Sequence, residues 1–124
     1  MPSELDVNLR RFCARLGVRG EQELTRRVGA PLAEWLAGVS DPAHLERWAL
    51  AGEWRRRLVA ALHPRTEPRM LAHLSRDIEE LVRLATAVNS ATPRLALEEL
   101  QGDPQLFVSA AATERAGELD RSLA

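Results

Sequence analysis

The sequence contains a single cysteine, Cys13, and neither lysine nor tyrosine. One cysteine excludes an internal disulfide, so a reducing cytoplasm is the expected compartment. No apolar run approaches the roughly 20 residues that a membrane-spanning helix needs, and the first residues lack the apolar core of a signal peptide. Arginine supplies every basic side chain except three histidines, a usage that a GC-rich genome explains without a functional reason.

The net charge is close to zero. Its formal value of −1 over 124 residues gives no overall reason to expect a nucleic acid or a membrane as partner. An apolar fraction of 45% is sufficient for one hydrophobic core, and the length is that of one domain. These values predict a single compact unit.

Apolar residues recur at helical spacing through most of the chain, and no segment alternates with the period of a strand. The pattern predicts an all-α fold, a small helical bundle of about six or seven helices. One long helix is expected from Asp41 to Leu62, and a second apolar pattern runs from Met70 to Val88 after a proline-containing break. We expect no internal repeat.

Breaks in the pattern divide the chain into three parts. Residues 1–40 are predicted as an N-terminal subdomain of short helices, and residues 41–112 as the core of the bundle. Residues 113–124 are predicted as a polar tail, either a frayed helix or disordered.

The residues favour no catalytic or metal site. The histidines, His44, His63 and His73, include no i, i+4 pair of the kind that binds zinc on a helix. Cys13 lies on an apolar stripe, which predicts core packing rather than a nucleophile. We therefore expect a protein that is not an enzyme and that binds no metal and no cofactor.

Arginine is concentrated in the middle of the chain. Residues 47–83 include eight arginines against five acids, and residues 98–124 include six acids against two arginines. The run Arg55, Arg56 and Arg57 is the candidate nucleic-acid contact. The alternative is ion pairing between the basic middle and the acidic end. We favour this alternative, because an excess of three charges is small for binding nucleic acid.

The segment EQELTRRVGAPLAEWLAG, residues 21–38, resembles the helix-turn-helix of phage-repressor-like DNA-binding domains. It has a helix, a turn at Gly29 and a second helix with Trp35 and Leu36. Such motifs place the second helix in the major groove. Here that helix has about two turns, and its one charged residue, Glu34, would face a phosphate-rich groove. A small helix-turn-helix DNA-binding protein is therefore the alternative function.

The segment DIEELVRLATAVNSATPRLALEEL, Asp77 to Leu100, is similar to the end of the collar domain in bacterial DNA polymerase III clamp-loader subunits, delta-prime and gamma/tau. There a long amphipathic helix ends in an Asn-containing turn, and a helix of the type N-P-R-L-A-L-E follows. The matching residues are Asn89, Pro93, Arg94, Leu95, Ala96, Leu97 and Glu98. No Walker A motif, sensor motif or nucleotide-binding domain accompanies them. The resemblance implies a collar-type piece whose role is subunit association, without ATPase activity.

The short helix between Thr92 and Gly102 is predicted to be capped at both ends, which fixes its angle to its neighbours. Its leucines do not share one narrow stripe, so part of its apolar surface is expected to bind a partner. The alternative is that the following helix covers this surface. The predicted partner-binding residues are Leu95, Leu97, Leu100 and Phe107. We expect a non-enzymatic helical interaction module, a subunit or accessory factor of a DNA replication or processing assembly, that binds a protein partner or its own copies.

Overall fold

The computed structural model describes residues 4–38 and 40–123, and these residues form nine α-helices and no strand. The all-α prediction is confirmed, although the helices outnumber the six or seven expected. Their bounds are α1 (Glu4–Leu16), α2 (Glu21–Val28), α3 (Ala30–Leu36), α4 (Pro42–Ala49), α5 (Trp54–Leu62), α6 (Pro68–Leu74), α7 (Glu80–Val88), α8 (Arg94–Gln101) and α9 (Leu106–Leu123).

The long helix expected from residue 41 to residue 62 is two helices, α4 and α5. Asp41 caps α4 as the sequence suggests, because its side chain accepts the N–H of Ala43 at 3.0 Å. The break contains Gly52, a poor helix former. After it, the Glu53 side chain accepts the N–H of Arg55 at 3.1 Å and begins α5.

The apolar pattern from residue 70 to residue 88 is also two helices, α6 and α7. In the connecting loop the Asp77 carboxylate accepts the N–H of Glu79 at 2.9 Å. A side chain of the loop thus replaces a helical hydrogen bond, while the apolar spacing continues across the break.

Both breaks belong to a repeat of twenty-six residues. Helices α4, α6 and α8 begin at residues 42, 68 and 94, and α5, α7 and α9 begin at residues 54, 80 and 106. We name residues 41–66 repeat 1, residues 67–92 repeat 2 and residues 93–118 repeat 3. The expectation of no internal repeat is wrong. Each repeat is a helix pair, and the pairs stack so that each buries the apolar side of its neighbour.

Equivalent threonines make equivalent hydrogen bonds at the ends of repeats 1 and 2. Thr66 Oγ1 donates to the carbonyl of Ala60, and Thr92 Oγ1 donates to the carbonyl of Thr86, both at 2.6 Å. Thr92 therefore closes the end of α7, and its hydroxyl does not cap α8, which has no side-chain cap. The predicted N-terminal cap of α8 is wrong for this reason.

The second helix of each of these repeats ends on a side chain that accepts the N–H two residues ahead. In repeat 1, His63 Nδ1 accepts the N–H of Arg65 at 3.0 Å. In repeat 2, Asn89 Oδ1 accepts the N–H of Ala91 at 2.9 Å. Different residue types thus perform one structural task at the same repeat position.

This equivalence predicts that asparagine can replace His63. We expect His63→Asn to change the free energy of unfolding by less than about 1 kcal/mol, because the amide oxygen takes over the bond from Arg65. His63→Leu leaves that partly buried N–H unsatisfied and should cost about 1–3 kcal/mol. Chemical melts measure both. Equal losses would show that the contact of the His63 ring with Trp35, at 5.0 Å between centroids, decides the stability of this site instead.

Helices α5, α7 and α9 form the middle layer of the fold. On one side, α4, α6 and α8 pack against the second helix of their own repeat. On the other side α1 packs against α5 and α7, and α3 packs against α5. Asn8 of α1, fully buried, fixes this second contact: its Nδ2 donates to the carbonyl of Leu62 at 2.8 Å, and its Oδ1 accepts the N–H of Ser90 at 3.0 Å.

The segment predicted as a polar tail is helical to Leu123, as the second half of α9. Its acids pair with arginines of α1 and α8: Glu118 with Arg11 at 3.3 Å, Glu114 with Arg15, and Asp120 with Arg94 at 2.5 Å. The last turns of α9 therefore lie against neighbouring helices, and their charges explain why the sequence pattern there has no apolar stripe.

Candidate interaction face

The outward side of α4, α6 and α8 carries a groove of about 790 Å³ that runs across all three repeats. Its walls include Leu50 after α4, Ile78 in the loop after α6, and Leu95 on α8. We name this side of the molecule the interaction face.

Three large aliphatic side chains of the groove are turned to solvent. Leu50 is 58% exposed, Ile78 is 91% exposed and Leu95 is 75% exposed. Each such side chain gains roughly 1.5–3 kcal/mol when it is fully buried. Single exposed leucines are ordinary, whereas here three exposed aliphatic side chains line one groove.

A partly buried ion pair holds the two loops that carry Leu50 and Ile78. Arg57 Nε lies 2.7 Å from Asp77 Oδ2, and Nη2 donates to Oδ1 at 3.2 Å. The same guanidinium donates to the carbonyls of Ala51 and Gly52 at 3.0 and 2.9 Å. The hydrogen bond to Asp77 raises the pKa of Arg57 above its ordinary value, so this link stays charged. The groove is thus bounded by fixed loops.

The interaction face carries charged side chains on all three repeats. Arg47, His73 and Glu99 occupy the same position of repeats 1, 2 and 3, and all three are exposed. Arg76 reaches from the end of α6 to α8, where its Nε and Nη2 bind both carboxylate oxygens of Glu99 at 3.1 and 2.8 Å. These hydrogen bonds lower the pKa of Glu99 below its ordinary value. Arg94 of α8 likewise pairs with Glu98, and Glu46 of α4 pairs with Arg69. Both α4 and α8 therefore carry charges of both signs.

The predicted partner-binding residues separate into different environments. Leu95 lines the groove, but Leu97 is fully buried and Leu100 is 2% exposed. Phe107 is partly buried and packs against the core. In the folded protein Leu97 and Leu100 cannot contact a partner, because α9 and α7 pack against the buried side of α8. Leu50 and Ile78 are the groove residues that sequence reasoning missed.

The three arginines predicted to contact nucleic acid also differ in their surroundings. Arg57 is bound by Asp77 and two carbonyls, and Arg55 pairs with Glu53 at 3.3 Å while its guanidinium lies 4.9 Å from the centre of the Trp54 ring. Arg56 is exposed. Two of the three arginines are therefore engaged within the chain. Further pairs join the basic middle to the acidic end, including one between Arg83 and Asp103 at 2.7 Å.

The helix-turn-helix candidate, α2 and α3, directs one side of its second helix into the core. Helix α3 has seven residues, of which Pro31, Leu32 and Trp35 are buried. Glu34 is exposed. This helix offers a DNA groove one acidic side chain and no basic one.

Within residues 4–38 and 40–123, no group of three His, Cys, Asp or Glu side chains could hold a metal ion. His63 and Cys13 are buried, whereas His44 lies edge-on to Trp48 with 4.7 Å between ring centroids. None of the described helices is both long and apolar enough to cross a membrane.

Comparison with protein-family models, curated proteins and solved structures finds no match for this chain.

Proposed function

We propose that this chain is a non-enzymatic helical interaction module that binds another protein chain through its interaction face. The observation that supports this most directly is the groove in which Leu50, Ile78 and Leu95 are exposed together. Stacked helix pairs commonly bind partners across a surface built from one helix of each repeat. The aliphatic side chains supply buried apolar area, and the charges around them supply orientation.

A role in a DNA replication or processing assembly stays a prediction that depends on the clamp-loader resemblance. The residues of that resemblance lie in repeat 2 and at the start of repeat 3. Asn89 and Thr92 there make the same bonds as His63 and Thr66 in repeat 1. The hydrogen bonds of the repeat therefore explain these residues without any kinship to clamp loaders. The interaction face supports binding more strongly than the resemblance does.

Selection of random peptides displayed on phage tests the proposed function. We expect the wild-type protein, immobilised sparsely, to enrich peptides with aliphatic anchors. Ile78→Glu or Leu95→Glu should weaken their binding at least about tenfold, because each places a charge where an apolar side chain must be buried. Both side chains are mostly exposed, so thermal melting should stay unchanged.

Arg56→Glu is the matched control, since it adds a carboxylate at an exposed position on α5. It should leave peptide binding as it is in the wild type. The proposed function is overturned if no peptide is enriched, or if enriched peptides bind the Ile78→Glu and Leu95→Glu variants as tightly as the wild type.

A further inference from the structure

We infer that a pocket between α1 and α9 binds one small phosphate-type oxyanion, either free phosphate or the phosphate group of a small molecule. The pocket has a volume of about 170 Å³ and shares no lining residue with the groove of the interaction face. The inference therefore does not depend on the proposed function. We name this site the arginine pocket, after the charged residues that line it: Arg11, Arg15, Glu114, Arg115 and Glu118.

Helical spacing brings these charged side chains together. Arg11 and Arg15 are four residues apart on α1, so they lie on one side of that helix. Glu118 and Glu114 have the same spacing on α9, and their ion pairs with Arg11 and Arg15 join the two helices. Arg115 of α9 adds a third guanidinium. The lining thus has three positive charges against two negative charges, an excess of one positive charge.

The carboxylates do not satisfy every guanidinium N–H of the pocket. Arg11 Nη2 and Arg115 Nη1 bind the same oxygen, Glu118 Oε2, at 3.3 and 2.9 Å. Arg115 Nη2 donates to the carbonyl of Ser90 at 3.3 Å. Arg11 Nη1 and Arg115 Nε are buried and have no acceptor within the part of the chain that the structure describes. A charged donor that is buried without an acceptor is unfavourable, so these two groups favour an acceptor from outside the chain.

The size and charge of the pocket favour an oxyanion over a single water molecule. One water needs only about 10–15 Å³, so a pocket of about 170 Å³ admits a larger ligand. A phosphate group supplies both acceptor oxygens and the negative charge that the lining lacks, and arginine binds it through charge-assisted hydrogen bonds. The rest of the lining is small and apolar: Ala14, Val88 and Ala111. Such a wall strengthens the attraction between the guanidinium groups and an anion.

Isothermal titration calorimetry with inorganic phosphate tests the site. We expect saturable binding of one phosphate per chain with a dissociation constant of about 1 mM or lower. The reference is chloride at the same ionic strength, so that screening is equal in both titrations. A parallel titration with phenyl phosphate distinguishes the two sources. Tighter binding of the ester identifies the phosphate group of a small molecule, and equal or weaker binding of the ester identifies the free ion.

Substitutions in the pocket should weaken phosphate binding. Arg11→Gln and Arg115→Gln should each do so at least about tenfold, because each removes a positive charge and one of the two N–H groups that have no acceptor. Ala14→Leu keeps every charge and reduces the space in the pocket, so it should weaken binding as well. Arg56→Gln is the matched control, since it removes the same charge from an exposed position on α5. It should bind phosphate as the wild type does.

Phosphate should also raise the melting temperature, because a ligand that binds the folded state stabilises it. The wild type and Arg56→Gln should show this rise when phosphate replaces chloride at constant ionic strength, and Arg115→Gln should not. Circular dichroism checks that the variants are folded. If Arg115→Gln fails to fold, Arg11→Gln and Ala14→Leu decide the question.

Three results would overturn the arginine pocket as an anion site. The first is the absence of saturable binding up to about 10 mM phosphate, ten times the expected dissociation constant. The second is phosphate binding that the substitutions at Arg11 and Arg115 leave unchanged. The third is a loss of binding in Arg56→Gln as large as in those variants. None of these results affects the peptide selection, which tests the interaction face separately.

Discussion

Leu97→Glu is expected to abolish the folded state, whereas Leu95→Glu, two residues away, leaves it intact. Leu97 is fully buried on the inner side of α8, while Leu95, on the same helix, is 75% exposed in the groove. A glutamate at residue 97 loses the burial of the leucine and places a carboxylate among apolar side chains, at a cost of several kcal/mol. That cost is comparable with the 5–15 kcal/mol by which a typical domain is stable.

Far-UV circular dichroism and urea melts of the two variants check this expectation. Leu71→Glu is the matched comparison, because Leu71 is the fully buried equivalent of Leu97 in repeat 2, and it should unfold the protein too. A Leu97→Glu variant that melts cooperatively and keeps its helicity would return Leu97 to the set of partner-binding residues and contradict the packing of α8 against α9.

Helical spacing predicts which segments are helical, because every amphipathic helix must bury one side. It misses the breaks between α4 and α5 and between α6 and α7, since each loop holds a side chain that would continue the stripe. Leu50 and Ile78 are those side chains, and the structure exposes both. Helical spacing alone therefore places Leu50 and Ile78 on apolar stripes, although both are exposed residues of the groove.

The repeat left a faint signal in the sequence. Leu45, Leu71 and Leu97 are identical and buried, at the same position of all three repeats. Thr66 and Thr92 are identical as well. Other positions keep a task and change the residue, as when His63 and Asn89 accept equivalent N–H groups through a ring nitrogen and an amide oxygen. The hydrogen bonds show that such positions are equivalent, but their residue types differ. The period could therefore not be read from composition or hydropathy.

Whether a leucine side chain of α8 is buried or exposed depends on the neighbouring helices. The existence of helix α8 and its apolar content were predictable, but Leu95 and Leu97 are both leucines and lie only two residues apart. Only the packing of α8 against α9 and α7 decides which of them is buried. The internal use of Arg57 was hidden for a similar reason, because its partner Asp77 lies in the next repeat.

Removing the guanidinium of Arg83 is expected to lower the free energy of unfolding by about 3–5 kcal/mol. Its Nε and Nη2 bind both oxygens of Asp103 at 2.7 and 3.3 Å, and its Nη1 donates to the carbonyls of Asp77 and Ile78 at 2.8 and 3.2 Å. The Asp103 side chain is only 5% exposed. Arg83→Met fills much of the same volume but leaves this carboxylate buried without its cation, which is the costly half of the change.

Arg57 occupies the same position one repeat earlier and makes the same four hydrogen bonds, so Arg57→Met should lose a similar amount of stability. Arg56→Met, next to it and exposed, should change stability by less than about 0.5 kcal/mol. This contrast separates an internal structural role of the arginine run from a general effect of lost charge.

A double variant shows whether the buried charge is the cause. Asp103→Asn keeps an oxygen for the N–H of Gln105, which Asp103 accepts at 3.0 Å, and removes the negative charge. Arg83→Met with Asp103→Asn should therefore recover at least about 1 kcal/mol relative to Arg83→Met alone. Urea melts of the wild type, the two single variants and the double variant give the coupling. If Arg83→Met costs under about 1 kcal/mol, or if the double variant recovers nothing, the ion pairs between consecutive repeats do not hold the array together, and the loops around Ile78 must be fixed by apolar packing alone.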